Sequence, residues 1–256
     1  MDLNNFYINF EKAALIFARF SGLFVFSPVY GGSQIPVRVK ALLAIFMTLI
    51  VFPFAKGFVA YSAAPLMFGL LAVNEVIIGL LIGFMYALLL IIFQLSGQLF
   101  SFNMGFGIVN TFDPSSETQV SIAGQYLYLI ALLVFLITNG HHTIIYALRE
   151  SFKVLPHMHF SNASAVAYYN IAAVSQMFKV ALIIAAPVLG TLLMVELSLG
   201  ILTRVAPQMN IFMIGFSIKI LVGFISILAF LPLFTKISAN FMQGFYTTVL
   251  LMVKQI

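Results

Sequence analysis

The run PLMFGLLAVNEVIIGLLIGFMYALLLIIFQLSGQLF, Pro65 to Phe100, carries a single charge, Glu75, in 36 residues. A helix of that length extends about 54 Å, against the ~30 Å of a hydrocarbon core, so it is too long for one simple crossing. Three arrangements stay open: a bend near Gly79 and Gly83, two half-helices, or a projection out of the membrane. The Gly79-Leu-Leu-Ile-Gly83 phrase matches the close-packing motif of membrane helices, which favours tight helix packing at these glycines over a kink.

The rest of the chain agrees with that class. Hydrophobic residues make up 62% of the 256 and charged residues 7%, mean hydropathy is +1.12, and soluble domains carry roughly 25% charged residues. The expected fold is all-α and of the integral-membrane type. It reads as one domain over 1–256, because no linker rich in Pro, Ser or charge divides it. With no cysteine, disulfides and thiolate metal sites are excluded. The net charge of +5 comes from twelve scattered Lys/Arg, with no basic block for nucleic acid to follow. Asp2, Glu11 and Lys12 precede the first apolar run without a basic n-region, so a removable signal is not expected.

Upstream of the opening run, Phe6 to Phe26 reads as an apolar helix interrupted by Glu11, Lys12 and Arg19. Glu11 and Arg19 lie near one face, and that face must meet protein or the interface, since a charge at mid-bilayer costs roughly 2.5–3.5 kcal/mol. Ser27-Pro28-Val29-Tyr30-Gly31-Gly32 is a turn, and Pro36 opens a second helix that ends near Pro53. Downstream, Val120 to Thr138 forms another uncharged helix, followed by Asn139-Gly140-His141-His142 and an amphipathic piece with Arg149, Glu150 and Lys153. A second overlong run, Ala165 to Leu202, contains Lys179, Pro187 and Glu196, and Pro187 is expected to kink or divide it. After a connection at Arg204 to Asn210, Ile211 to Leu231 forms a helix with Lys219, and Pro232 to Ile256 a last one. The sum is about six or seven hydrophobic helical segments. Lys/Arg counting decides no orientation: Arg38, Lys40 and Arg204 oppose Lys12, Lys56, Arg149, Lys153 and Lys254 in a six-crossing arrangement.

Gln98 to Gln125 interrupts the helices. It joins an apolar tract, Met104 to Phe112, to a turn at Asp113-Pro114 and a polar run. Such a segment is too apolar for water, and its irregular backbone would leave groups unpaired in lipid at several kcal/mol each. It belongs where protein encloses it or where it faces a water-filled passage. Glu75, Lys179, Glu196, Arg204 and Lys219 sit in or beside apolar runs, where ionisable residues are usually paired. Packing and assembly pairs are preferred over a proton or ion relay. Glu196 and Arg204, eight residues apart, could share a face and meet through Gln208 or a partner subunit. His141 and His142 project about 100° apart with no HExxH and no neighbouring carboxylate, so a helix-end pair is preferred over a metal site. No Ser/His/Asp set, paired carboxylates or phosphate-cradling loop is legible, and neither catalysis nor a cofactor is expected.

The ordered set Arg19-x-Ser21-Gly22, Pro28, Ile35-Pro36-x-Arg38-x-Lys40, Glu75-x-x-x-Gly79, Gly105-Phe106, Asp113-Pro114, Asn139-Gly140-His141-His142, Ser151-Phe152, Pro156 and Ala206-Pro207-Gln208-Met209-Asn210 with Lys219 resembles the FliR/SctT family of type III secretion export-gate proteins. The match runs nearly end to end, and two of its phrases look more like the flagellar than the injectisome branch. The resemblance implies a single chain assembled with P-type and Q-type export-gate subunits and the FlhB-type switch protein. It implies long, broken helical hairpins combining a P-like and a Q-like unit. The assembly would sit in the bacterial inner membrane at the flagellar basal body, largely on the periplasmic side, and pass unfolded proteins. The central loop would then be a pore plug over about 105–119, carried by Met104, Gly105, Phe106, Gly107, Ile108, Phe112, Asp113 and Pro114, with Arg19, Glu75, Lys179, Glu196, Arg204 and Lys219 as buried or assembly charges.

A plug also makes physical sense. An export pore must pass a chain yet hold back ions, and compliant Phe and Met side chains can seal by dewetting and then yield. The competing reading is a small-solute or ion-coupled transporter, which predicts inverted repeats and a midplane site. A comparison of the two halves gives no defensible sequence echo. A membrane-bound enzyme ranks third.

Overall fold

The computed structural model describes residues 3–32, 35–55, 65–106, 121–154, 163–206, 208 and 211–255. Seven helices run through them: α1 (Leu3–Phe26), α2 (Val37–Val51), α3 (Pro65–Asn103), α4 (Ile122–Ile137), α5 (Gly140–Val154), α6 (Ala163–Val205) and α7 (Ile211–Gln255). Among the described residues, α3, α6 and α7 each contain a span long and apolar enough to cross a membrane, and α4 with α5 make a fourth if counted as one broken span. The chain is a helical membrane protein.

The opening run resolves as one unbroken helix. Proline also fails to divide the later runs: Pro187 lies inside α6, and Pro232 inside α7. The separate helices expected on either side of Pro232 are therefore a single helix of 45 residues. A proline removes one ladder bond, and membrane helices tolerate that because neighbouring groups re-satisfy the freed carbonyl. α4 and α5 do separate, at Asn139, whose φ of 57° is in the left-handed region. Asn enters that region more readily than most residues. His142 N–H then donates to the Asn139 carbonyl at 3.0 Å, opening the first turn of α5.

The chain folds into two compact units, each assembled from separated segments: Met1–Leu89 with Leu136–Val174 and Met242–Ile256, and Leu90–Phe135 with Ser175–Phe241. In the first, α1 and α3 pack in parallel through glycines. A Cβ on Gly79 would overlap the Arg19 carbonyl, one on Gly83 would lie 2.7 Å from the Leu23 carbonyl, and one on Gly22 would overlap the Val76 carbonyl. With no hydrophobic drive between helices in lipid, this close backbone approach is what holds them by dispersion. The packing reading of Gly79 and Gly83 is the observed one. Further along the same helix, the Tyr86 hydroxyl donates to Thr143 Oγ1 of α5 at 3.3 Å, and its ring lies 6.2 Å from that of Tyr246 in α7.

In the second unit, α6 and α7 form an antiparallel hairpin. Thr191 and Ser226 hydroxyls are 2.9 Å apart, Glu196 pairs with Lys219, and Leu199 covers Gly215. The contacts advance along α6 as they retreat along α7.

Candidate functional site

In the second unit, the described residues on either side of the apolar loop form a fixed base. A Cβ on Gly97 of α3 would overlap the backbone of Gly124 in α4, and a Cβ on Gly124 would sit 2.9 Å from the Gln94 carbonyl. Two helices can approach this closely only because both positions lack a side chain. One turn further, Ser121 Oγ donates to Ser101 Oγ at 2.6 Å and accepts from the Gly124 N–H at 3.0 Å. Ser121 thus caps the otherwise unsatisfied first turn of α4 and ties it to the end of α3. The two ends of the loop are stapled together.

From this base the first loop residues settle on α7. Met104 is fully buried. Its sulfur would lie 2.7 Å from a Cβ at Gly223, so the glycine makes the groove that takes the thioether. Gly105 follows with φ 95°, which L side chains rarely adopt, and a Cβ there would meet the Phe216 ring at 2.6 Å. Phe106 then meets Phe224 edge to face, with centroids 6.2 Å apart and planes at 77°. Phe216, Gly223 and Phe224 stand at i, i+7 and i+8, one stripe of α7. Sequence reasoning missed all three. The available signal was that spacing of two phenylalanines around a glycine. Gly107, Ile108, Phe112, Asp113 and Pro114 lie outside the described residues.

The expected charged residues divide into two buried or half-buried pairs and two exposed cations. Arg19 and Glu75 are both fully buried in the first unit. The Arg19 Nε donates to Glu75 Oε2, Nη2 to Oε1 at 2.9 Å, and Nη1 to Ser151 Oγ at 2.8 Å. The guanidinium also lies 4.1 Å from the centre of the Phe152 ring. The Ser151 hydroxyl in turn donates to the Leu148 carbonyl at 2.6 Å, so its oxygen is aimed at the arginine. Three helices, α1, α3 and α5, meet at this one bidentate pair. Glu196 pairs with Lys219 across α6 and α7. Glu196 takes its partner from the facing helix rather than from Arg204, eight residues along its own. Arg204 and Lys179 are exposed and make no ion pair among the described residues.

His141 and His142 stack at 4.2 Å in the first turn of α5. Among the described residues no three His, Cys, Asp or Glu side chains gather where a metal could sit. What the loop base offers is apolar contact, a glycine pivot and a hydroxyl staple, an arrangement suited to holding and releasing a segment.

A sequence model of the family described as bacterial export proteins, family 1, matches residues 10–245. The flagellar biosynthetic protein FliR of Bacillus subtilis (strain 168) is 32% identical over 227 residues, 86% of this chain and 85% of that protein. Its namesake in Aquifex aeolicus (strain VF5) is 32% identical over 230 residues, 88% and 87% of the two chains. That of Escherichia coli (strain K12) is 31% identical over 210 residues, 81% and 79%.

Proposed function

The chain belongs to the bacterial export proteins of family 1, and from that premise we propose that it is a subunit of the flagellar type III export gate whose apolar loop plugs the closed conduit. The chain assembles with P-type and Q-type subunits and the FlhB-type switch protein in the inner membrane. It contributes no catalysis.

The observation that supports the plug is the seating of the loop base. Ser101 and Ser121 hold the two ends of the loop together, while Met104 and Phe106 rest on Gly223 and Phe224 of α7. A loop fixed at both ends can move only as a flap, and Gly105, with its positive φ, is a backbone position able to take that change. The phenylalanines beyond it supply a seal that excludes water while closed and yields to a passing chain.

The test is deletion of Gly105 to Val109, or Phe106→Ala with Phe112→Ala. Either makes the membrane leaky to small solutes while flagellar export continues. An unchanged leak in a normally assembled gate refutes the plug. A cysteine at Phe112 that cross-links to a substrate trapped in transit would locate the loop in the conduit.

A further inference from the structure

Helices α1 and α2 pack face to face over residues whose side chains leave a slot. Ala41 and Ala44 on α2 stand opposite Phe17, Ser21 and Phe24 on α1, and the space between them is about 390 Å³. That is within the usual range of ligand pockets, roughly 300–1,000 Å³. Water gains little there, because apart from Ser21 and Lys40 the lining offers no polar side chain.

The polar end of the slot is cationic and, among the described residues, has no counter-charge. Lys40 lines it, with its ammonium held by the Gly31 carbonyl at 2.8 Å; an ammonium has three N–H donors, and among the described residues this one makes no other hydrogen bond. Arg38, exposed, stands two residues before it, about 200° around the helix, and is not part of the slot. The first turn of α2 contains no acidic residue and no side-chain cap. Between Lys12 and Glu75 the sequence holds no Asp or Glu at all, and Glu75 is already taken by Arg19. An apolar slot with one lysine ammonium at its end and no carboxylate in its lining is complementary to an anionic amphiphile, not to a free ion, which the apolar floor would not retain, nor to a neutral hydrocarbon.

We propose that the α1–α2 slot binds one anionic phospholipid, with an acyl chain laid along Ala41, Ala44 and Phe17 and the phosphate taken by Lys40. Basic pockets between membrane helices recognise headgroups in this way. The site is separate from the loop base and does not rest on the plug reading.

The experiment uses the full chain in dodecyl maltoside, incubated with dioleoyl phosphatidylglycerol or dioleoyl phosphatidylcholine, with retained lipid counted by native mass spectrometry. Phosphatidylglycerol is expected to be held about fivefold more tightly, from about 1 kcal/mol for the one cation at the headgroup. Lys40→Gln removes the preference, Lys40→Arg keeps it, and Arg38→Gln, outside the slot, leaves it unchanged. Ala44→Phe, or Ala41→Leu as a milder filler, reduces retention of both lipids. Equal retention of the two lipids by the wild-type chain overturns the proposal. So does a preference that survives Lys40→Gln, or retention untouched by either filler in a chain of unchanged helix content. Finally, the assembled gate taken from membranes should retain phosphatidylglycerol that the Ala44→Phe gate lacks. If it retains none, the slot belongs to a partner's helix.

Discussion

Replacing Glu75 by Gln keeps the shape of the α1–α3–α5 junction and removes its negative charge. The Arg19 guanidinium stays fully buried, keeps Ser151 at 2.8 Å and the Phe152 ring at 4.1 Å, and loses the only carboxylate in contact with it among the described residues. Breaking a buried pair in this way costs about 3–5 kcal/mol, because the remaining charge is desolvated without compensation. At roughly 2–4 °C per kcal/mol for chains of this size, Tm should fall by about 6–20 °C. Heating the detergent-extracted chain and measuring the fraction that still elutes as a single species gives the number. The double variant Arg19→Met with Glu75→Leu discriminates between charge and packing, since apolar replacement of a whole buried pair is often neutral. It should recover more than half of the loss seen with Glu75→Gln alone. The reasoning is refuted if Glu75→Gln melts within about 2 °C of wild type, or if the double loss equals the sum of the two single losses, which is the signature of independent sites.

Gly105→Val should raise solute leak through the gate, because a β-branched residue at positive φ costs at least ~1–2 kcal/mol and its Cβ would strike Phe216; leak equal to wild type in assembled gates counts against a seated loop. Ser121→Ala removes the cap of α4 and its bond to Ser101, costing about 1 kcal/mol. Amide exchange in the first turn of α4 should then quicken about fivefold. Glu196→Gln leaves Lys219 unpaired on an apolar helix, at roughly 2.5–3.5 kcal/mol on insertion scales, and should lower the yield of assembled gate. Glu196→Gln with Lys219→Gln should restore that yield, and a double variant no better than the single would show that the pair is not what assembly needs.

Long apolar runs made the helices legible, since nothing but a helix satisfies a membrane backbone over such lengths. The breaks were less so. Asn139 was readable as a turn because its side chain favours the conformation it adopts, whereas Pro187 and Pro232 carry a local signal that the surrounding apolar ladder overrides. The motif pieces Arg19-x-Ser21-Gly22 and Glu75-x-x-x-Gly79 proved to be two sides of one contact, an ion pair and a glycine seam on the same helix faces. Their chemistry was visible separately, but the juxtaposition depends on tertiary packing. For the same reason Lys219 was not foreseen as the partner of Glu196: they lie 23 residues apart across a helix connection, and only the antiparallel hairpin aligns them. The loop stood out by composition, while its seat on Phe216, Gly223 and Phe224 lies more than a hundred residues downstream.

The Arg19 junction also sets a timetable. Its carboxylate is 56 residues further along the chain and its serine 132. At synthesis rates of about 5–20 residues per second, roughly 3–11 s separate the arginine from Glu75 and roughly 7–26 s from Ser151. For that interval the nascent chain carries a solitary guanidinium in its first apolar segment. Whatever receives the nascent chain must shelter that positive charge until α3 brings the carboxylate, so the order of translation, as much as the finished contacts, decides when α1 can leave the water.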